Sequence, residues 1–176
     1  MKNPCVYIKN SIKICFMKIR YKKDFSIGII QSFEKVRFEL KGKYNVKIGN
    51  LNQNRGDLYI GVNGGMLSIG CHCFFNINTS ITSMKSIKIG NNCKFGNNVV
   101  IVDHDHNFKS GIEEFVSSPI VIGNNVWVGA NVTILRGSNI GDNCVIGAGS
   151  VVRGYIESNS LYVSNKSVDI KPIDRN

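Results

Sequence analysis

The sequence predicts an all-β fold, a prism of short parallel strands wound into stacked coils, and three observations carry that prediction. Six-residue repeats run through the C-terminal half, and each opens on a large apolar residue. The 18 glycines against 3 prolines in 176 residues point to many tight turns rather than a linker. At this length one domain with a sizeable core is expected.

The clearest block begins at Ile122 and reads IGNNVW, VGANVT, ILRGSN, IGDNCV, IGAGSV, VRGYIE. Earlier blocks begin at Ile89 (IGNNCK, FGNNVV, IVDHDH) and at Ile69 (IGCHCF, FNINTS, ITSMKS). The first position of all twelve hexads is Ile, Val or Phe, as a narrow continuous core requires. The fifth position is small: Cys73, Thr79, Cys93, Val99, Val126, Val132, Ser138, Cys144 and Ser150. Three of the six cysteines therefore read as core residues. No CxxC pair occurs, and Cys71-His72-Cys73 is too closely spaced for a usual zinc knuckle, so no metal is expected. Glycine in the second position and the asparagine pairs that follow it suit corners that need special backbone dihedrals every six residues.

These readings divide the chain into three parts. Residues 1–45 form a basic segment with irregular early coils, 46–155 a β-helix with a loop at 103–119, and 156–176 a C-terminal cap over the prism's end. Early coils are expected around Val46-Lys47-Ile48-Gly49 and Leu58-Tyr59-Ile60-Gly61. Residues 1–50 hold 12 of the 22 Lys/Arg but 3 of the 12 Asp/Glu, a basicity compatible with an acidic glycan or an anionic membrane surface. Lys9, Lys13 and Lys18 interrupt the apolar start, so neither a membrane-spanning helix nor a signal peptide is expected, and the expected location is cytoplasmic, with the basic segment suited to a peripheral membrane contact.

The repeat breaks between Ile101 and Ile122, which are 21 residues apart. The expelled loop carries Asp103, His104, Asp105 and His106, and loops leaving a rigid scaffold commonly hold the chemistry. Imidazole is the side chain suited to proton transfer near neutral pH, and a neighbouring carboxylate can fix its tautomer.

The run Asp103-His104-Asp105-His106-Asn107-Phe108, followed by Pro119-Ile120-Val121-Ile122-Gly123-Asn124-Asn125-Val126-Trp127-Val128-Gly129-Ala130, resembles the hexapeptide-repeat acyltransferases, in their maltose, galactoside and polysaccharide O-acetyltransferase branch. The match covers roughly residues 69 to 155. The resemblance implies a left-handed parallel β-helix, a homotrimer with active sites between subunits, and transfer of an acetyl group from acetyl-CoA to a saccharide hydroxyl. Counting from Ile101 it makes His106 the catalytic base, with His104, Asp103 and Asp105 as the other catalytic or orienting candidates. It assigns Asn76 and Trp127 to the substrate, and Gly129, Ala130, Gly147, Ala148 and Arg153 to the cofactor. Asn76 and the glycines are also what prism corners require, and Trp127 is expected at a corner near the loop. No nucleic-acid partner is implied.

Two alternatives share this fold. A γ-class carbonic anhydrase-like zinc enzyme needs three histidines; His72, His104 and His106 supply the number, but their separations of 32 and 2 residues do not match that family's spacing. A non-catalytic repeat scaffold explains the prism but leaves the histidine loop without a role.

Overall fold

A computed structural model describes residues 4–107 and 114–164. The chain is a left-handed parallel β-helix of about six turns, preceded by an α-helix, Pro4–Tyr21. The first face stacks Phe25–Ile27, Asn45–Ile48, Met66–Ile69, Ser86–Ile89, Ile120–Ile122, Asn139–Ile140 and Tyr155–Ile156. The second stacks Gln53–Asn54, Phe74–Phe75, Lys94–Phe95, Trp127–Val128, Val145–Ile146 and Leu161–Tyr162. The third stacks Lys35–Lys41, Asp57–Asn63, Thr79–Ser83, Val100–Val102, Thr133–Ile134 and Val151–Val152. All these pairings are parallel and in register, for example Ile89 with Ile122 and Ile122 with Ile140.

The repeat positions fill the core as their chemistry demands. All twelve first-position residues, from Ile69 to Val152, are at most 3% exposed, and the nine small fifth-position residues are at most 1% exposed. Phe75 and Phe95 occupy equivalent places on adjacent coils and stack with centroids 4.9 Å apart. Removing one such side chain, as in Ile101→Ala, costs about 2–5 kcal/mol because the neighbouring coils cannot collapse into the gap.

The corners divide their labour between asparagine and glycine. The left-handed backbone falls on fourth-position residues, mostly asparagine: Asn78, Asn92, Asn98, Asn125, Asn131 and Asn143 all have φ between 56° and 60°. Their side chains form ladders, Asn78 to Asn98 to Asn131 at 3.2 and 3.0 Å. The second-position glycines are needed for space instead: a Cβ on Gly96 would lie 2.6 Å from the Ala130 backbone nitrogen of the next coil.

Both ends depart from the expected boundaries. Regular coiling begins at Phe25, inside the segment expected to be irregular, because Phe25 and Ile27 alternate inward and pair with Val46 and Ile48. At the other end Tyr155–Ile156 and Leu161–Tyr162 continue the first and second faces. The strands therefore run past residue 155, and the part of the expected cap from 165 onward lies outside the described residues.

Candidate active site

The chain leaves the third face after Val102, makes an antiparallel hairpin of His104–His106 with Phe115–Ser117, and rejoins the first face at Ile120. Residues 108–113 of the expected loop lie outside the described residues. The hairpin thus stands on the corner between the third and first faces.

Its root is Asp103. This side chain has no solvent exposure and accepts hydrogen bonds from the Ser83 hydroxyl at 2.8 Å and from the backbone N–H groups of Met84, Lys85 and Ser86 at 2.8–2.9 Å. The turn after Thr79–Ser83 points three N–H groups toward one place, and only an acceptor with several lone pairs satisfies them. Asp103 Oδ1, which accepts from the Met84 N–H, also lies 3.0 Å from His104 Nδ1. That contact fixes the ring's orientation through Nδ1 and leaves Nε2 as the nitrogen not engaged by the carboxylate. Among the described residues Nε2 has no hydrogen-bond partner.

Because side chains alternate along a strand, His104 and His106 share one side of the hairpin and Asp105 takes the other. The Phe115 ring lies between the imidazoles, 5.5 Å from His104 and 4.6 Å from His106. His104 is half-buried and His106 exposed. Asp105 accepts from Arg136 Nε at 2.6 Å, with Arg153 at 3.6 Å, so two arginines from later coils tie the hairpin to the prism.

His104 and Phe115 border an open pocket of about 220 Å³ whose floor comes from the third face, with Glu39, Lys41, Tyr59 and Thr82 among its lining residues. Lys41, Arg37 and Tyr59 hydrogen-bond Glu39 and hold its carboxyl down to about 2, so it is a fixed negative charge. Burial, aided by Glu39, pushes the Tyr59 phenol up and keeps it a donor.

The other expected site residues are dispersed within one chain. Trp127 projects from the second face, 60% exposed, rather than from the hairpin's corner, and lines a separate pocket with His72, Asn92 and Lys94. His72 is therefore apart from His104 and His106. Gly129, Ala130, Gly147 and Ala148 stack on the corner between the second and third faces, while Arg153 reaches the hairpin. Asn76 spends its side-chain oxygen on the next backbone N–H, that of Ile77, at 3.0 Å. Among the described residues no three His, Cys, Asp or Glu side chains group to hold a metal ion.

Sequence reasoning missed Arg136, Glu39, Lys41, Tyr59 and Ser83. Arg136 had a signal, since its hexad ILRGSN puts Leu135 where glycine usually stands. Glu39 and Lys41 had none, lying before the repeats begin, while Tyr59 and Ser83 sit in coils whose repeat pattern marks no site.

Comparison with known proteins agrees with this architecture. Residues 119–154 match the bacterial transferase hexapeptide (six repeats) model, and residues 66–102 the hexapeptide repeat of succinyl-transferase. The galactoside O-acetyltransferase of Escherichia coli is 39% identical over 99 residues, 54% of this chain and 49% of that protein. An E. coli protein provisionally named a lipopolysaccharide biosynthesis O-acetyl transferase is 39% identical over 93 residues, 46% of this chain and 47% of its own. The chain thus spans about half the length of these curated relatives. Among solved structures, an N-acyltransferase of Bacillus cereus in complex with dTDP and coenzyme A shares the fold at TM-score 0.64 and 16% identity, over 90% of this chain and 89% of that one. The repeats, the filled inward positions and these matches define a hexapeptide-repeat protein of the transferase type. The chain carries the hexapeptide repeats that these models describe, and the relatives it is similar to include galactoside O-acetyltransferases.

Proposed function

We propose that the chain is an O-acetyltransferase that moves an acetyl group from acetyl-CoA to a saccharide hydroxyl, with His104 as general base. The observation that carries this reading is the 3.0 Å contact of His104 Nδ1 with a fully buried carboxylate, beside an open pocket. With Nδ1 turned to that carboxylate, the imidazole accepts the hydroxyl proton at Nε2 as the oxygen attacks the thioester carbonyl carbon. The carbon–sulfur bond then breaks, and the coenzyme A thiolate leaves and takes up a proton. The family resemblance, counted from Ile101, favours His106 for this step; its exposure and its place on the same side of the hairpin suit a contact to the acceptor instead. Asp103 orients the base, and Asp105 with Arg136 holds the hairpin.

The names of the curated relatives support the acetyl donor and the saccharide acceptor, a surface polysaccharide or its precursor being the preferred class. Acetyl-CoA is a cytoplasmic metabolite, and the reading puts the protein there. Trp127 lies on the face opposite the hairpin's corner, which suits a homotrimer in which the Trp127 face of one prism meets the hairpin of its neighbour. In that groove Gly129, Ala130, Gly147 and Ala148 border the pantetheine, Arg153 lies toward the phosphates, and Asn76 lies on the acceptor side.

Calorimetric titration of the protein with acetyl-CoA tests the donor half without knowledge of the acceptor. Micromolar binding is expected, and no binding by folded protein overturns the reading.

A further inference from the structure

The helix Pro4–Tyr21 lies across the N-terminal end of the prism. The Asn10 side chain is bonded to both backbone groups of Phe33, and the Ser11 hydroxyl donates to Ile29 O. Tyr21 packs on Phe25 and donates to Phe38 O, and Ile14 is 2% exposed. These contacts reach every side of the first coil, so the helix closes the end that a solenoid would otherwise expose.

The same helix has a second apolar stripe facing away. Ile8, Ile12, Phe16 and Ile19 are between 55% and 75% exposed. At 100° per residue they fall within an arc of about 80°, opposite Asn10, Ile14, Met17 and Tyr21. Lys9, Lys13 and Arg20 border the stripe on one side and Lys18 on the other, and the helix contains no Asp or Glu. Ile29 and Ile30, 47% and 46% exposed, extend the apolar surface onto the first coil beside Ser11. Among the described residues nothing covers this surface.

We infer that this face docks on an anionic lipid bilayer, with the helix in the plane of the interface. An apolar stripe bordered by lysines matches acyl chains below and acidic headgroups beside. A second copy fits worse, because stripe-to-stripe packing brings lysine rows together with no acidic residue on either helix. A nucleic acid fits worse still, because the centre of the face is apolar. No helix among the described residues is long and apolar enough to cross a membrane, so the contact is peripheral. Three strand spacings separate Lys35–Lys41 from Val100–Val102, which sets the hairpin about 14 Å further along the prism from the docked end. This inference does not rest on the acetyltransferase reading.

Flotation of the full chain with vesicles tests it. Vesicles of equal parts phosphatidylglycerol and phosphatidylcholine should carry the protein, and pure phosphatidylcholine vesicles should carry much less. Ile12→Glu with Phe16→Glu changes only exposed side chains and should leave the circular dichroism spectrum unaltered. It should lower binding by more than roughly tenfold, since burying either side chain is worth about that factor or more. Lys9→Glu with Lys13→Glu should lower anionic-vesicle binding without touching the apolar stripe. Equal flotation with neutral vesicles, unchanged flotation of the Ile12/Phe16 variant, or no flotation of the unaltered chain would overturn the inference. If in the last case the Ile12/Phe16 variant has a smaller sedimenting mass, the face belongs to a second copy.

Discussion

Nδ1 of His104 lies 3.0 Å from Oδ1 of Asp103, and Asp103 is shut off from solvent while receiving three backbone N–H groups from the coil below. One carboxylate therefore both anchors the hairpin and sets the imidazole. Asp103→Ala should cost about 3–5 kcal/mol, because three donors lose their shared acceptor inside the protein. A denaturant midpoint shift of less than about 1 kcal/mol would contradict that role.

Arg136 and Asp105 are 31 residues apart in sequence and 2.6 Å apart in space. The pair is partly exposed, so Arg136→Ala should change stability by less than about 1 kcal/mol. It should nonetheless lower kcat/KM roughly tenfold by freeing the hairpin that carries the histidines. A thermal-shift measurement beside a rate measurement separates the two effects, and an unchanged rate would remove Arg136 from the account.

Glu39 is held down to about 2 by hydrogen bonds from Lys41, Arg37 and Tyr59. A carboxyl held below its unfolded value contributes stability above that value and loses it as the pH falls from about 4.5 toward 2. Carboxyl-carbon NMR should give a Glu39 midpoint well below those of ordinary glutamates. Glu39→Gln should make the acid loss of stability shallower over that interval, and an unaltered acid limb would deny the coupling.

Gly96→Ala should destabilise by about 1–3 kcal/mol, since the added Cβ would meet the Ala130 backbone at 2.6 Å. The backbone conformation there is ordinary, so an intact Gly96→Ala protein at unchanged melting temperature would refute close approach as the reason for glycine.

How much of this was legible follows from what enforced it. The inward positions were readable because a core three strands around admits one large and one small side chain per hexad, as Ile101 and Val99 illustrate. The corner glycines and asparagines were both visible, but not which of them takes the left-handed backbone, since both residue types suit corners and only the coil spacing separates them. The N-terminal helix was hidden because Lys9, Lys13 and Lys18 look like interruptions of an apolar run; on the helical wheel they border a stripe instead. Within the site, the His-Asp cluster was plain in the loop, whereas Asp103 as an anchor depends on the turn at Met84–Ser86, 17 to 19 residues earlier. Tyr59 reaches the pocket from a blurred early coil and Lys41 from a strand with no repeat signature.

The most direct test of the central claim compares acceptor-dependent thiol release from acetyl-CoA in His104→Ala and His106→Ala proteins, with folding of each checked by circular dichroism. If His104 is the base, its loss should lower kcat/KM by about 10³, while loss of His106 should cost about tenfold or less. Near-normal rates in His104→Ala, or a collapse confined to His106→Ala, would contradict the account and move the base two residues along the hairpin.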